Sequence, residues 1–128
     1  MSLWWSAVAV AAGAMLGALG RWAVGVWLNP LWTGFPLGTL VVNMVGGLVA
    51  GGAIVFLSRE PNEALRLVLI TGFLGALTTF STFSVESLAL VERGRFGLAL
   101  THTLAHVLGA FLCAAAGARL MRWWLAVA

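Results

Sequence analysis

An all-α membrane protein with four transmembrane helices, the third of them broken, is the fold class this sequence predicts. Three observations carry that reading. Of the 128 residues, 62% are hydrophobic and only 9% charged, with a mean hydropathy of +1.03, which leaves too little charge to clothe a soluble domain. The apolar residues gather into four runs, each near or above the ~20 residues that a helix needs to cross a bilayer. Within the third run, the thirteen residues from Gly72 to Ser84 hold two glycines, three phenylalanines and five hydroxyl side chains, with no formal charge. Broken helix exposed to lipid is not viable, so breakable, polar sequence at membrane depth belongs against protein or a water-filled path.

The first run extends from about Leu3 to Val26. Gly13 and Gly17 form a G-x-x-x-G pair that lets another helix backbone approach closely. Asn29-Pro30 through Gly34-Phe35-Pro36 reads as a turn before the second run, about Leu37 to Leu57, which carries a second such pair at Gly47 and Gly51. Ser58 to Glu63 is a charged loop with Pro61 near the start of the third run, about Leu65 to Val91. Glu92-Arg93-Gly94-Arg95 is a tight polar turn, and the fourth run covers about Phe96 to Leu120. Arg119 to Trp124 forms a basic, aromatic edge suited to lipid headgroups, and most of the seven Trp residues sit near segment ends. Residues 1–128 read as one transmembrane domain, without a linker or low-complexity tail.

Charge and cysteine usage exclude several classes. The net charge is +3, but the seven basic residues are all Arg and are scattered, so no nucleic-acid-binding stripe forms. The single Cys113 can build neither an internal disulfide nor a metal cage and reads as a packing residue. Met1 to Ser6 lacks the positive leader of a cleaved signal peptide, so the first run is expected to remain as a transmembrane helix. Orientation is poorly instructed. With the N-terminus inside, Arg59, Arg66, Arg119 and Arg122 share that face against Arg21, Arg93 and Arg95 on the other. Two readings stand: insertion in both directions with antiparallel pairing, or an intramembrane Arg21 that does not count and a weak preference for the termini inside.

Polar groups at membrane depth mark the candidate site. Arg21 ends the first run and by position can snorkel to the interface. Thr39 and Asn43 are four apart, on one helix face, and the Asn43 amide carries two N–H donors that need partners, on a neighbouring helix or on a ligand. Glu86 is the only acid deep within a run; such an acid is functional by default, with a salt bridge to Arg21 or a bond to a hydroxyl as the structural alternative. His102 and His106 are also four apart, but no neighbouring Cys or acid in the sequence completes a metal set. Thr78, Thr79, Ser81, Thr82 and Ser84, beside Gly72 and Gly75, mark an interrupted helix. An unwound turn frees carbonyl oxygens for a small cation and N–H groups for an anion. Phe80 and Phe83 share a face, and the positive edge of an aromatic ring can touch an anion without trapping it.

The run Gly72-Phe73-Leu74-Gly75-Ala76-Leu77-Thr78-Thr79-Phe80-Ser81-Thr82-Phe83-Ser84-x-Glu86 closely resembles the signature of the Fluc/CrcB fluoride channels. Gly17-Ala18-Leu19-Gly20-Arg21 and Phe35-Pro36-Leu37-Gly38-Thr39-Leu40-x-x-Asn43-x-x-Gly46 match in the same order. The resemblance implies a channel rather than an enzyme: a dual-topology, antiparallel homodimer of four-helix subunits in the bacterial inner membrane, exporting fluoride passively through two pores. It also implies a structural Na⁺ at the dimer centre, held by the backbone carbonyls of Gly75 and Thr78. By motif position Phe80 and Phe83 are the pore phenylalanines and Asn43 the pore asparagine. Thr39, Ser81, Thr82 and Glu86 are polar positions along the path, and Arg21 lies near a vestibule.

The fourth helix departs from the family pattern, which places hydroxyl residues along its pore-facing track. Here His102 and His106 stand as the candidates, with Thr101 and Thr103 beside them and Ala110 one turn on. That departure raises the hypothesis that imidazole protonation between about pH 5 and 7 modulates conduction. Flux that stays flat over that range in wild type and His106→Ala alike would sink it. The rivals are a proton-coupled fluoride exchanger working through Glu86 and a small multidrug-type antiporter. The antiporter class uses an acid in its first helix, whereas this chain has none before Glu60.

Overall fold

The computed structural model describes all residues, Met1–Ala128. It contains helix and turn only, in five helical elements. Helix α1 is Leu3–Leu28, followed by a 3₁₀ turn at Asn29–Leu31, and α2 is Leu37–Arg59. Helix α3, residues 63–77, starts as Glu63–Arg66, widens to π-type hydrogen bonding over Leu67–Leu74 and closes with Gly75–Leu77. After a two-residue break, α4 is Phe80–Glu92, and α5 is Phe96–Val127. Four segments are long and apolar enough to cross a membrane: Leu3–Leu31, Leu37–Arg59, Glu63–Glu92 and Phe96–Val127. These match the four runs read from the sequence. The last outruns its expected end at Leu120, because nothing in Arg119–Trp124 breaks a helix and its charges and indoles suit the zone beyond the acyl chains.

Capping explains the connections. Asn29 accepts the Gly38 N–H at 2.8 Å through its side-chain oxygen, tying the α1 end to the α2 start. Asn62 caps α3 by accepting the Leu65 N–H at 2.9 Å. Between α4 and α5, Gly94 adopts φ +70°, with Arg95 N–H bonded to the Leu90 carbonyl at 2.9 Å. That is the left-handed helix stop that glycine allows.

Glycine sets the packing. A Cβ on Gly13 or Gly17 would lie 2.0 Å from the Val68 carbonyl oxygen or 2.1 Å from that of Phe73, so α1 and α3 touch backbone to backbone. A Cβ on Gly51 would lie 2.0 Å from the Ala114 oxygen, and one on Gly117 1.9 Å from the Leu48 oxygen, which joins α2 to α5 equally closely. Both G-x-x-x-G pairs thus act as packing seams. Only 20 of the 128 residues are buried, and Leu, Val, Phe and Trp dominate the outer surface. A helix apolar all round belongs in lipid.

Candidate functional site

The break at Thr78–Thr79 organises the site. Thr78 turns to φ −80°, ψ 157° and Thr79 to φ −151°, ψ 118°, so both leave helical geometry. The Thr79 N–H, which would reach the Gly75 carbonyl in an unbroken helix, donates to Asn43 Oδ1 at 2.8 Å. The Thr82 N–H, which would reach the Thr78 carbonyl, donates to Thr79 Oγ1 at 3.2 Å. Thr79 therefore caps α4, and the carbonyls of Gly75 and Thr78 lose their helical donors. Two neighbouring carbonyls are covered instead by side chains. Arg21 Nε donates to the Ala76 oxygen at 3.0 Å, and Asn43 Nδ2 to the Thr79 oxygen at 3.0 Å. The carbonyls of Gly75, Leu77 and Thr78 are left without helical or side-chain donors, and such oxygens are hard, uncharged ligands.

A polar chain runs from the break into α5. Thr39, buried on α2, donates to Glu86 Oε1 at 2.6 Å. His102 is fully buried and places Nε2 3.1 Å from Glu86 Oε2 and Nδ1 2.8 Å from Ser87 Oγ. Ser87 Oγ lies 3.2 Å from Thr103 Oγ1. His106 sets Nδ1 3.0 Å from Asn43 Nδ2, while its Nε2 is buried with no partner. Phe83 is buried beside both imidazoles, at ring-centroid distances of 5.5 Å from His102 and 4.7 Å from His106. Its edge meets Phe80 at 5.4 Å, and Phe80 is 78% exposed.

Two hollows flank the break, and Thr79 borders both. One, of about 540 Å³, is lined by Asn43, Gly75, Thr78, Phe80, Phe83 and His106 among others. The other, of about 460 Å³, is lined by Arg21, Asn29, Thr39 and Thr82 among others. The structure thus brings Asn43, Phe80, Phe83, His106, Gly75 and Thr78 to one side and Arg21, Thr39 and Thr82 to the other. Glu86 and His102 hold the buried ground between α2, α4 and α5. Ser81 is exposed, its Oγ 3.3 Å from Thr79 Oγ1.

At three places the structure answers what the sequence left open. Arg21 neither bridges to Glu86 nor simply snorkels, because its guanidinium caps the carbonyl freed by the break. Asn43 serves as an interhelical clasp, with both N–H groups engaged. An acid does come near the two histidines: ligand atoms of Glu86, His102 and His106 lie within 4.8 Å of one another. Thr79 and Ser87 belong to the site; the sequence marks Thr79 only as part of the interruption and does not mark Ser87. Thr79 was legible as an N-cap three residues before Thr82, whereas Ser87 carried no pattern in the sequence.

Residues 8–118 match the family described as CrcB-like protein, Camphor Resistance (CrcB). The chain is 46% identical over 117 residues to the fluoride-specific ion channel FluC of Marinobacter nauticus, covering 90% of this chain and 93% of that one. It is 47% identical over 125 residues to the protein of the same name from Pseudomonas aeruginosa, covering 96% and 98%. A third relative with that name, from Aromatoleum aromaticum, is 47% identical over 119 residues, covering 91% of each chain.

Proposed function

Because this chain belongs to the CrcB family, we propose that it is a fluoride-selective channel that lets fluoride leave the bacterial cytoplasm passively. It is a multi-pass membrane protein and not an enzyme. The observation that carries the reading is the broken third span, with uncharged donors and phenylalanine edges gathered around it. Fluoride is small and strongly hydrated, so a path must replace its water with donors. Hydroxyls of Ser81 and Thr82, N–H groups and the edges of Phe80 and Phe83 do so without a fixed charge that would hold the ion, while Thr39 spends its proton on Glu86. Arg21 lines the second hollow. Glu86 has each oxygen taken by a donor, Thr39 or His102, which blunts its repulsion of an anion.

The working unit in this reading is an antiparallel homodimer. Gly75 and Phe80 are both exposed, and lipid cannot satisfy the carbonyls freed beside them. A second copy, turned over, would cover that face, in keeping with the near-even arginine count on the two sides. The Gly75 and Thr78 carbonyls of both copies would hold the structural Na⁺, which supplies positive charge to oxygens that have lost their N–H donors.

Fluoride efflux from liposomes holding the purified protein, with chloride as control, tests the channel. Rapid fluoride and negligible chloride efflux is expected. A pH gradient that drives fluoride uphill would favour the exchanger instead. Replacing Na⁺ by N-methylglucamine should lower the melting temperature in detergent, and no change would remove the cation from the reading.

A further inference from the structure

We propose that His106 contributes its Nε2–H as a neutral donor to the permeating anion, and that Asn43 acts by fixing this tautomer instead of by touching the ion. The proposal rests on the channel reading above and deepens it. The Thr79 N–H can only donate, so the Asn43 atom 2.8 Å from it is the amide oxygen. The amide nitrogen then faces the Thr79 carbonyl and His106 Nδ1, each at 3.0 Å. An amide nitrogen is a donor only, so Nδ1 of His106 must offer its lone pair. A neutral imidazole that accepts at Nδ1 carries its proton at Nε2.

That Nε2–H has no partner in the subunit, on a side chain only 4% exposed that borders the larger hollow. A buried donor without an acceptor is rare in folded proteins and calls for an occupant. A transition metal is the obvious candidate, since Glu86 and His102 are close. The tautomer argues against it. To ligate through Nε2, His106 would need its proton at Nδ1, directly against the Asn43 N–H. Asn43 cannot turn its oxygen there without abandoning the Thr79 N–H. Both nitrogens of His102 are also engaged, with Glu86 and Ser87. The occupant must therefore accept a hydrogen bond, as a halide does. An uncharged donor beside the Phe83 ring also suits an ion that has to leave again. Asn43, with both N–H groups spent inside the subunit, becomes a positioning residue.

The test is ¹⁵N NMR of the histidine-labelled protein in lipid at neutral pH, read together with liposome flux. The expected spectrum has His106 protonated at Nε2, and the Nε2 signal moves saturably with fluoride and not with chloride. Asn43→Asp, which sets an acceptor against Nδ1, should shift the proton to Nδ1. His106→Asn keeps an amide near the Nδ1 position but offers nothing at Nε2. Its fluoride flux should fall about tenfold, the factor that one hydrogen bond to a charged partner carries. His106→Gln, with an amide near the Nε2 position, should recover part of that loss. An Nδ1–H tautomer in wild type, or an Nε2 signal indifferent to fluoride in a conducting protein, overturns the proposal. Flux through His106→Asn equal to wild type also overturns it and leaves the channel reading intact. Absence of fluoride flux in wild type strikes the channel reading itself. Should His106→Asn fail to fold, the wild-type spectrum decides alone.

Discussion

Phe80 and Phe83 sit three residues apart on one helix, yet one is exposed and the other is buried against two imidazoles. Their edge-to-face contact leaves the Phe80 ring open to the larger hollow. Phe80→Ile keeps the apolar bulk and removes the positive ring edge. Fluoride flux is expected to drop about fivefold or more, since an edge contact contributes on the order of 1 kcal/mol. Unchanged efflux would remove the pore role of that ring. The histidines give a pH experiment at the same scale. A proton added to His106 Nδ1 would face the Asn43 N–H and open the clasp on Thr79. The titratable groups around this ring are His102 on its own helix and Glu86 on α4; α2 presents only the neutral Thr39 and Asn43. Flux should therefore fall on acidification where the ring charges, and that fall should vanish in His106→Asn. An identical acid limb in both proteins would place the sensitivity elsewhere.

Among the elements, the seams and the break make different demands. Along α1–α3 and α2–α5, glycine is required by close backbone approach. Gly51→Ala drives a methyl group to 2.0 Å from the Ala114 oxygen, and the overpacking is expected to cost about 1–3 kcal/mol. The melting temperature in detergent should fall accordingly, whereas Gly97→Ala, where nothing lies within 4 Å, should barely change it. Equal melting of the two variants would refute the seam. At the break, Thr79→Val removes the oxygen that caps α4. A lost N-cap costs about 1 kcal/mol, so modest destabilisation is expected, with the Asn43 clasp on the backbone still in place. The position of the break was legible in outline: two glycines and five hydroxyls in thirteen residues announced it. Its exact carbonyl accounting was not, because the competing donors come from α1 and α2.

On the scale of the whole molecule, a single subunit leaves the break uncovered. Gly75 is exposed, and a Cβ there would meet only the Ile70 oxygen at an ordinary 3.7 Å. Gly75→Cys should therefore fold. In a Cys113→Ala background, mild oxidation should join two copies through position 75 if antiparallel chains meet at the break. A protein that remains monomeric after oxidation, with the thiol still reactive, would argue against that pairing.

Length and hydropathy are local properties of the chain, and from them the sequence alone determined four membrane-crossing helices, their connections and an interruption in the third. The motif around Gly72–Ser84 also determined the family. Only the tertiary structure decided who partners whom among the polar groups. Asn43 meets His106 across 63 positions, Thr39 meets Glu86 across 47, and Arg21 meets the Ala76 carbonyl across 55. A polar group in lipid must find a donor or acceptor within about 3 Å, and periodicity along one helix cannot say which other helix provides it. That is why the sequence left Glu86 to either Arg21 or a hydroxyl, and the structure gives it the hydroxyl of Thr39 together with His102.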